Sequence, residues 1–203
     1  MKKPKNQDTE ALILESAKEV FQKKGMDGAR MQEIANKAGI NKAMLHYYYR
    51  SKQMLFEAVF HNAFSLLAPE LNKVLKDDSS IEEKVRSFTH NYISFIMKHP
   101  YLPNFIIQEL NRNPIFFETL RKNAAFPSLE KFENQVAYEV EQGILKPIDG
   151  KQLFIHILSL NVFPFVASPL IKGLLHIEDN GFKELMEERK TAVAEFIIAS
   201  IKK

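Results

Sequence analysis

Apolar side chains recur every three or four positions along nearly the whole chain, and no stretch sustains the alternation of a strand. The pattern predicts an all-α protein of about nine helices. A first helix is expected over Thr9–Lys24, opened by Asp8, closed by Gly25, and burying Leu12, Ile13, Ala17, Val20 and Phe21. A second, Met31–Ala38, would bury Ile34, Ala35 and Ala38. Gly39 then supplies a turn with positive φ, and Asn41 caps a short helix over Lys42–Tyr48. Ser51 caps a longer fourth helix running towards Leu75. Further helices are expected at about 80–98, 103–110, 114–141, 150–168 and 182–202, with Pro103 and Pro114 in first turns. The reading is a three-helix N-terminal helix-turn-helix domain over 1–52, joined to a larger helical bundle over 53–203. No flexible linker intervenes, so movement in the bundle could reach the head through the fourth helix.

Charge changes the picture more than composition does. The net charge is only +3, but residues 1–55 hold eleven Lys/Arg against six acidic residues, leaving the remainder at −2. A basic small module suits a polyanion. The 203 residues are 45% hydrophobic, enough for a sizeable core, and the absence of cysteine excludes disulfides and thiolate metal sites. Residues 153–171 are uncharged and borderline in length for a bilayer span. However, His156, Ser159, Asn161, Pro164 and Pro169 interrupt them, which points to a core or interface helix broken near its end. The expectation is a cytoplasmic protein without a membrane segment.

The stretch MQEIANKAGINKAMLHYYYRSK over 31–52 carries the chemistry. Two short helices meet around Gly39, with small Ala35 where they must approach closely, which makes a helix-turn-helix. On the second helix Leu45, Tyr48 and Tyr49 are spaced to pack inward, while Lys42, Ala43, His46 and Tyr47 share the opposite face. A cation, a small residue and two hydrogen-bonding rings on one face fit a major groove.

From about Ile13 to Phe56 the chain resembles the DNA-binding domain of the TetR family of transcriptional regulators. The matching residues are Val20-Phe21, Gly25, Ile34-Ala35, Ala38-Gly39-Ile40, Asn41-Lys42, Leu45, Tyr48-Tyr49, Ser51-Lys52 and Leu55. The resemblance implies groove contacts from Lys42, Ala43 and Tyr47, and phosphate contacts from Arg30, Asn41, His46 and Lys52. Three positions depart from the family pattern. Ala29-Arg30 stands where Thr or Ser is usual, His46 replaces a Tyr, and Tyr49 replaces a Phe. The resemblance further implies a ligand-responsive repressor that binds a near-palindromic operator as a homodimer. The alternative is a small-molecule-binding helical receptor with weakened DNA binding, and salt-sensitive retention of specific DNA separates the two.

The bundle is rich in phenylalanine with polar residues between, the anatomy of a core or of a ligand cavity. Asn91, Phe95, Phe105, Gln108, His156 and Asn161 are the pocket candidates for a partly apolar small-molecule effector. The last helix bears an apolar stripe that includes Val193, Phe196 and Ile197. With Phe154 and Leu158 of the 150–168 helix it suits the four-helix dimer interface the family uses. No HExxH, GxSxG or Gly-rich phosphate loop is present, so neither a metal, another cofactor nor an enzymatic activity is expected.

Overall fold

The computed structural model describes residues 5–112, 118, 121–122 and 126–203. Ten helices can be bounded among them: α1 Lys5–Gly28, α2 Met31–Lys37, α3 Lys42–Tyr48, α4 Lys52–Lys76, α5 Ile81–Lys98, α6 Leu102–Arg112, α7 Glu130–Glu141, α8 Gly150–Val166, α9 Ser168–Leu175 and α10 Asp179–Ile201. The fold is all-α, as the periodicity requires. The chain divides into two compact units, Met1–Ser65 and Leu66–Lys203, and α4 contributes to both.

In the first unit, α1 starts before its expected first residue and its helical geometry breaks at the expected stop, Gly25, whose φ of 67° and ψ of 177° suit only glycine, before a short turn continues to Gly28. Its core stripe is Ile13, Ala17, Val20 and Phe21, joined by buried Ser16. Leu12 does not belong to that stripe and is 54% exposed. One position before Ile13 lies about 100° round a helix of 3.6 residues per turn, which turns Leu12 to solvent once Ile13 faces in. Phe21 meets Phe56 of α4 edge-on, with centroids 5.0 Å apart. Such aromatic pairs add about 0.5–1.5 kcal/mol beyond the area they bury.

In the second unit α5 and α10 share the most extensive helix contact among the described residues. Ile81, Val85, Phe88, Tyr92 and Ile96 are buried on α5, and Met186, Val193, Ala194, Ile197, Ile198 and Ile201 on α10. An Arg86–Glu195 ion pair fastens the rim. Ser80 and Glu83 form a reciprocal capping box at the start of α5. One face of α7 holds the α4–α5 turn: Lys131 donates to the Lys76 carbonyl at 2.6 Å, Gln135 to the Ser79 carbonyl at 2.6 Å, and Glu139 accepts the Ile81 N–H at 3.1 Å. Fully buried Lys84 meets the Asp77 carboxylate at 2.9 Å in the same turn.

The helix expected over 114–141 is not continuous. Phe126–Leu129 are non-helical and α7 begins at Glu130, because Pro127 has no N–H to donate and disfavours a helical residue before it. Pro114 lies outside the described residues. The break expected near the end of the 150–168 helix is present: α8 and α9 meet at 74° after Pro164. Proline at 164 leaves the Leu160 carbonyl without its helical donor, and the Arg189 guanidinium of α10 supplies one at 2.8 Å. No single helix among the described residues is long and apolar enough to cross a membrane.

Candidate nucleic-acid interface

The geometry of α2 and α3 follows from three local devices. Gly39 takes φ 66°, which lets the chain reverse while Ile40 N–H donates to the Ala35 carbonyl at 3.0 Å. The Asn41 side chain accepts the Met44 N–H at 2.7 Å and so closes the first turn of α3. Leu45 is fully buried, with Ile34, Ala35 and Ala38 behind it. Anchoring Leu45 fixes the rotation of a seven-residue helix, and Lys42, Ala43, His46 and Tyr47 all face solvent as a consequence. Tyr47 is 79% exposed and meets Tyr48 edge-on at 5.6 Å. Met44 is also exposed beside Ala43, an apolar contact surface that charge and hydrogen-bonding criteria overlook.

The same unit exposes further cations. Arg30 is exposed at the N-cap of α2 and makes no side-chain cap bond; its carbonyl instead accepts from Glu33 N–H at 3.0 Å and Ile34 N–H at 3.2 Å. Arg50 is exposed as well, a cation that motif matching passes over. The acidic residues Glu19 and Glu33 are each paired with lysine, in Lys37–Glu19 and Lys24–Glu33 bridges of 2.7 Å that tie α1 to α2. Lys52 is set apart from the other candidates. It is partly buried, and its ammonium donates to the backbone carbonyls of Asp27 and Ala29, both at 3.2 Å. Tyr49, the departure from phenylalanine, is buried and donates its hydroxyl to Glu10 at 3.1 Å. Burial pushes the Tyr49 hydroxyl well above its usual range, and the bond to Glu10 reinforces the shift.

The six pocket candidates are not brought to one wall. Phe105 and Asn161 are buried and Phe95 is partly so, while Asn91, Gln108 and His156 face solvent. Asn161 donates to the Ile157 carbonyl at 2.8 Å and to buried Thr89 at 3.4 Å. Two shallow depressions, one at Lys172–Glu178 and one around Lys76, Ser128 and Lys131, include none of the six. The interface candidates divide likewise. Val193 and Ile197 are buried within the single chain, Phe154 and Leu158 are partly buried, and Phe196 is 66% exposed. Ile155 and Phe163 of α8 and Leu170, Leu174 and Leu175 of α9 are also exposed. Among the described residues no group of three His, Asp or Glu side chains could hold a metal ion.

Residues 13–59 match the family described as bacterial regulatory proteins, tetR family. The chain is 28% identical over 97 residues to the HTH-type transcriptional repressor NicS of Pseudomonas putida, a stretch of 48% of this chain and 46% of that relative. The matched stretch is thus about half of that relative's length. The probable HTH-type transcriptional regulator YttP of Bacillus subtilis is 21% identical over 187 residues, 90% of each chain. The crystal structure of AibR in complex with isovaleryl coenzyme A and operator DNA superposes with a TM-score of 0.60 at 20% identity, over 77% of this chain and 85% of that one.

Proposed function

Because the chain belongs to the TetR family of bacterial transcriptional regulators, we propose that it works in the cytoplasm as a homodimeric, ligand-responsive repressor without enzymatic activity. Each subunit places the Lys42, Ala43 and Tyr47 face of α3 in a major groove, with Arg30, Asn41 and His46 against phosphate. The observation that carries this reading is the exposure of that face together with the burial of Leu45. A short helix whose solvent side bears a lysine, a small residue and two polar rings has the chemistry to read base edges. Pairing of Glu19 and Glu33 with lysines removes the acidic charge that would repel a phosphate backbone. Exposed Phe163, Leu174 and Phe196 support self-association through α8–α10. NicS, by its name a repressor, supports the sense of regulation, and the AibR complex supports both an operator and a small-molecule effector.

The effector is a partly apolar small molecule bound by the Leu66–Lys203 unit. A hundredfold release from DNA requires about 2.7 kcal/mol of differential binding, within the ordinary range of allosteric coupling. The test is enrichment of duplexes from a random pool by the wild-type protein, followed by footprinting. Recovery of a near-palindromic sequence supports the proposal, and retention of DNA without any sequence enrichment contradicts it.

A further inference from the structure

Tyr49, which caps α3, and Lys52, which opens α4, fasten to α1 and the residue just after it at two separated places. At one end the Tyr49 hydroxyl donates to Glu10, in an early turn of α1. At the other the Lys52 ammonium donates to the carbonyls of Asp27, in the last turn of α1 past the Gly25 break, and of Ala29, just beyond its end. Carbonyls in the last turn of a helix have no intrahelical donor, and a lysine there supplies both hydrogen bonds and favourable charge. Arg30 and Met31, which start α2, follow at once, and α2 in turn carries Ile34 and Ala35, which are buried with Leu45 of α3. From these contacts we infer that Lys52 is a positioning residue: with Tyr49 as its second fastening, it straps α1 and the α1–α2 loop so that α2 and α3 are held at the angle the operator requires.

The inference rests on the DNA-binding reading and deepens it. A phosphate contact and a strap leave different marks. Sequence-independent affinity comes from charge, and each neutralised phosphate contributes about 0.9 to the slope of log K against log salt. Specific affinity comes from base contacts whose geometry must be held, so a loosened strap reduces it alone. Two of the three ammonium protons of Lys52 are already directed at carbonyls, which sets it apart from exposed Lys42.

The test uses the full-length protein with a duplex enriched from a random pool by the wild type, and a random duplex of equal length. Lys52→Met keeps the stem and removes the donor; Lys52→Arg restores donors for two carbonyls. We expect Lys52→Met to bind the enriched duplex about tenfold more weakly, the effect of losing charge-assisted hydrogen bonds. Its affinity for the random duplex and its salt slope stay at wild-type values, and the amides of Ala29–Gln32 exchange faster. Lys52→Arg recovers most of the loss. Equal losses on both duplexes, with a slope flattened by about 0.9, make Lys52 a phosphate contact and overturn the inference. A lower melting temperature with both affinities retained overturns it too. Should Lys52→Met fail to fold, Tyr49→Phe decides, since it removes one hydroxyl and keeps the ring. A loss confined to the enriched duplex supports the strap, and unchanged affinity for both overturns it. Enrichment of no duplex by the wild type overturns the DNA-binding reading itself.

Discussion

Among the helices that leave large side chains in water, α3 in the first unit and α8–α10 in the second differ in chemistry. On α3 the exposed face carries Lys42, His46 and Tyr47, each with a group that donates hydrogen bonds, around small Ala43. On α8–α10 it carries Phe163, Leu174 and Phe196, which offer nothing but apolar area. Water solvates the first surface well, so a partner must replace water with better-placed acceptors, as phosphate and base edges do. It solvates the second poorly, so any complementary apolar face lowers the free energy, at roughly 25 cal/mol for each Å² removed from water. The difference teaches that one surface demands geometry and the other demands area, and each is broken by a different substitution.

The largest effect is expected at the apolar surface. Phe196→Arg leaves the folded subunit intact because residue 196 is exposed within it. In a dimer the same change sets an unpaired charge in an apolar contact, at a cost of about 3–5 kcal/mol. Sedimentation should show monomers, and DNA affinity should fall with them. An unaltered dimer would place the interface elsewhere.

Substitutions on α3 sharpen the other side of the comparison. Lys42→Ala and Tyr47→Ala should each weaken binding to an enriched operator by about 1–3 kcal/mol while leaving the dimer unchanged. Gel-shift titrations at several salt concentrations check this. A variant that binds like the wild type removes that residue from the reading face.

A smaller effect is expected at the cap. Asn41→Ala removes the acceptor of the Met44 N–H and should cost about 1 kcal/mol of stability in the first unit. Thermal denaturation followed by far-ultraviolet circular dichroism would register it. An unchanged transition would mean that solvent replaces the cap.

The smallest effect is a pH dependence confined to the second unit. Burial alone would raise the Asp77 carboxyl, but bonds from Ser79 and Lys84 outweigh it and hold the group below the usual carboxylate range. A depressed native value contributes stability that is present above the ordinary unfolded value of about 3.9. That contribution is lost as the pH falls through the native value. Asp77→Asn should therefore flatten the acid limb of the stability profile, and an acid limb as steep as the wild type's would exclude Asp77 as its source.

The same contrast explains what could be read from the residues. In the first unit, spacing alone placed Ile34, Ala35, Ala38 and Leu45 inside and Lys42, His46 and Tyr47 outside. There the constraints are local: a cap, a glycine and a seven-residue helix with one deep anchor. The bond from Lys52 to the α1 terminus is not legible in local spacing because it links positions more than twenty residues apart. In the second unit the helical period was legible, but not which face of each helix meets which neighbour. The stripe on α10 holds Val193, Phe196 and Ile197 within two turns, yet α5 and its neighbours enclose only the first and last. Asn161 reads as a ligand group by type; in the fold its amide nitrogen donates to Thr89 and the Ile157 carbonyl, while its buried amide oxygen has no hydrogen-bond partner among the described residues. Pro127, by contrast, was a visible stop signal inside the helix expected over 114–141.

The central claim, that a dimer reads DNA through the exposed face of α3, is tested most directly by hydroxyl-radical footprinting of the wild type and a Lys42→Ala/Tyr47→Ala variant on the enriched duplex. The account predicts two protected segments related by two-fold symmetry and set by the helical repeat of the duplex for the wild type. It predicts loss of both from the variant at protein concentrations where sedimentation still shows a dimer. The same two segments protected equally by the variant would contradict it.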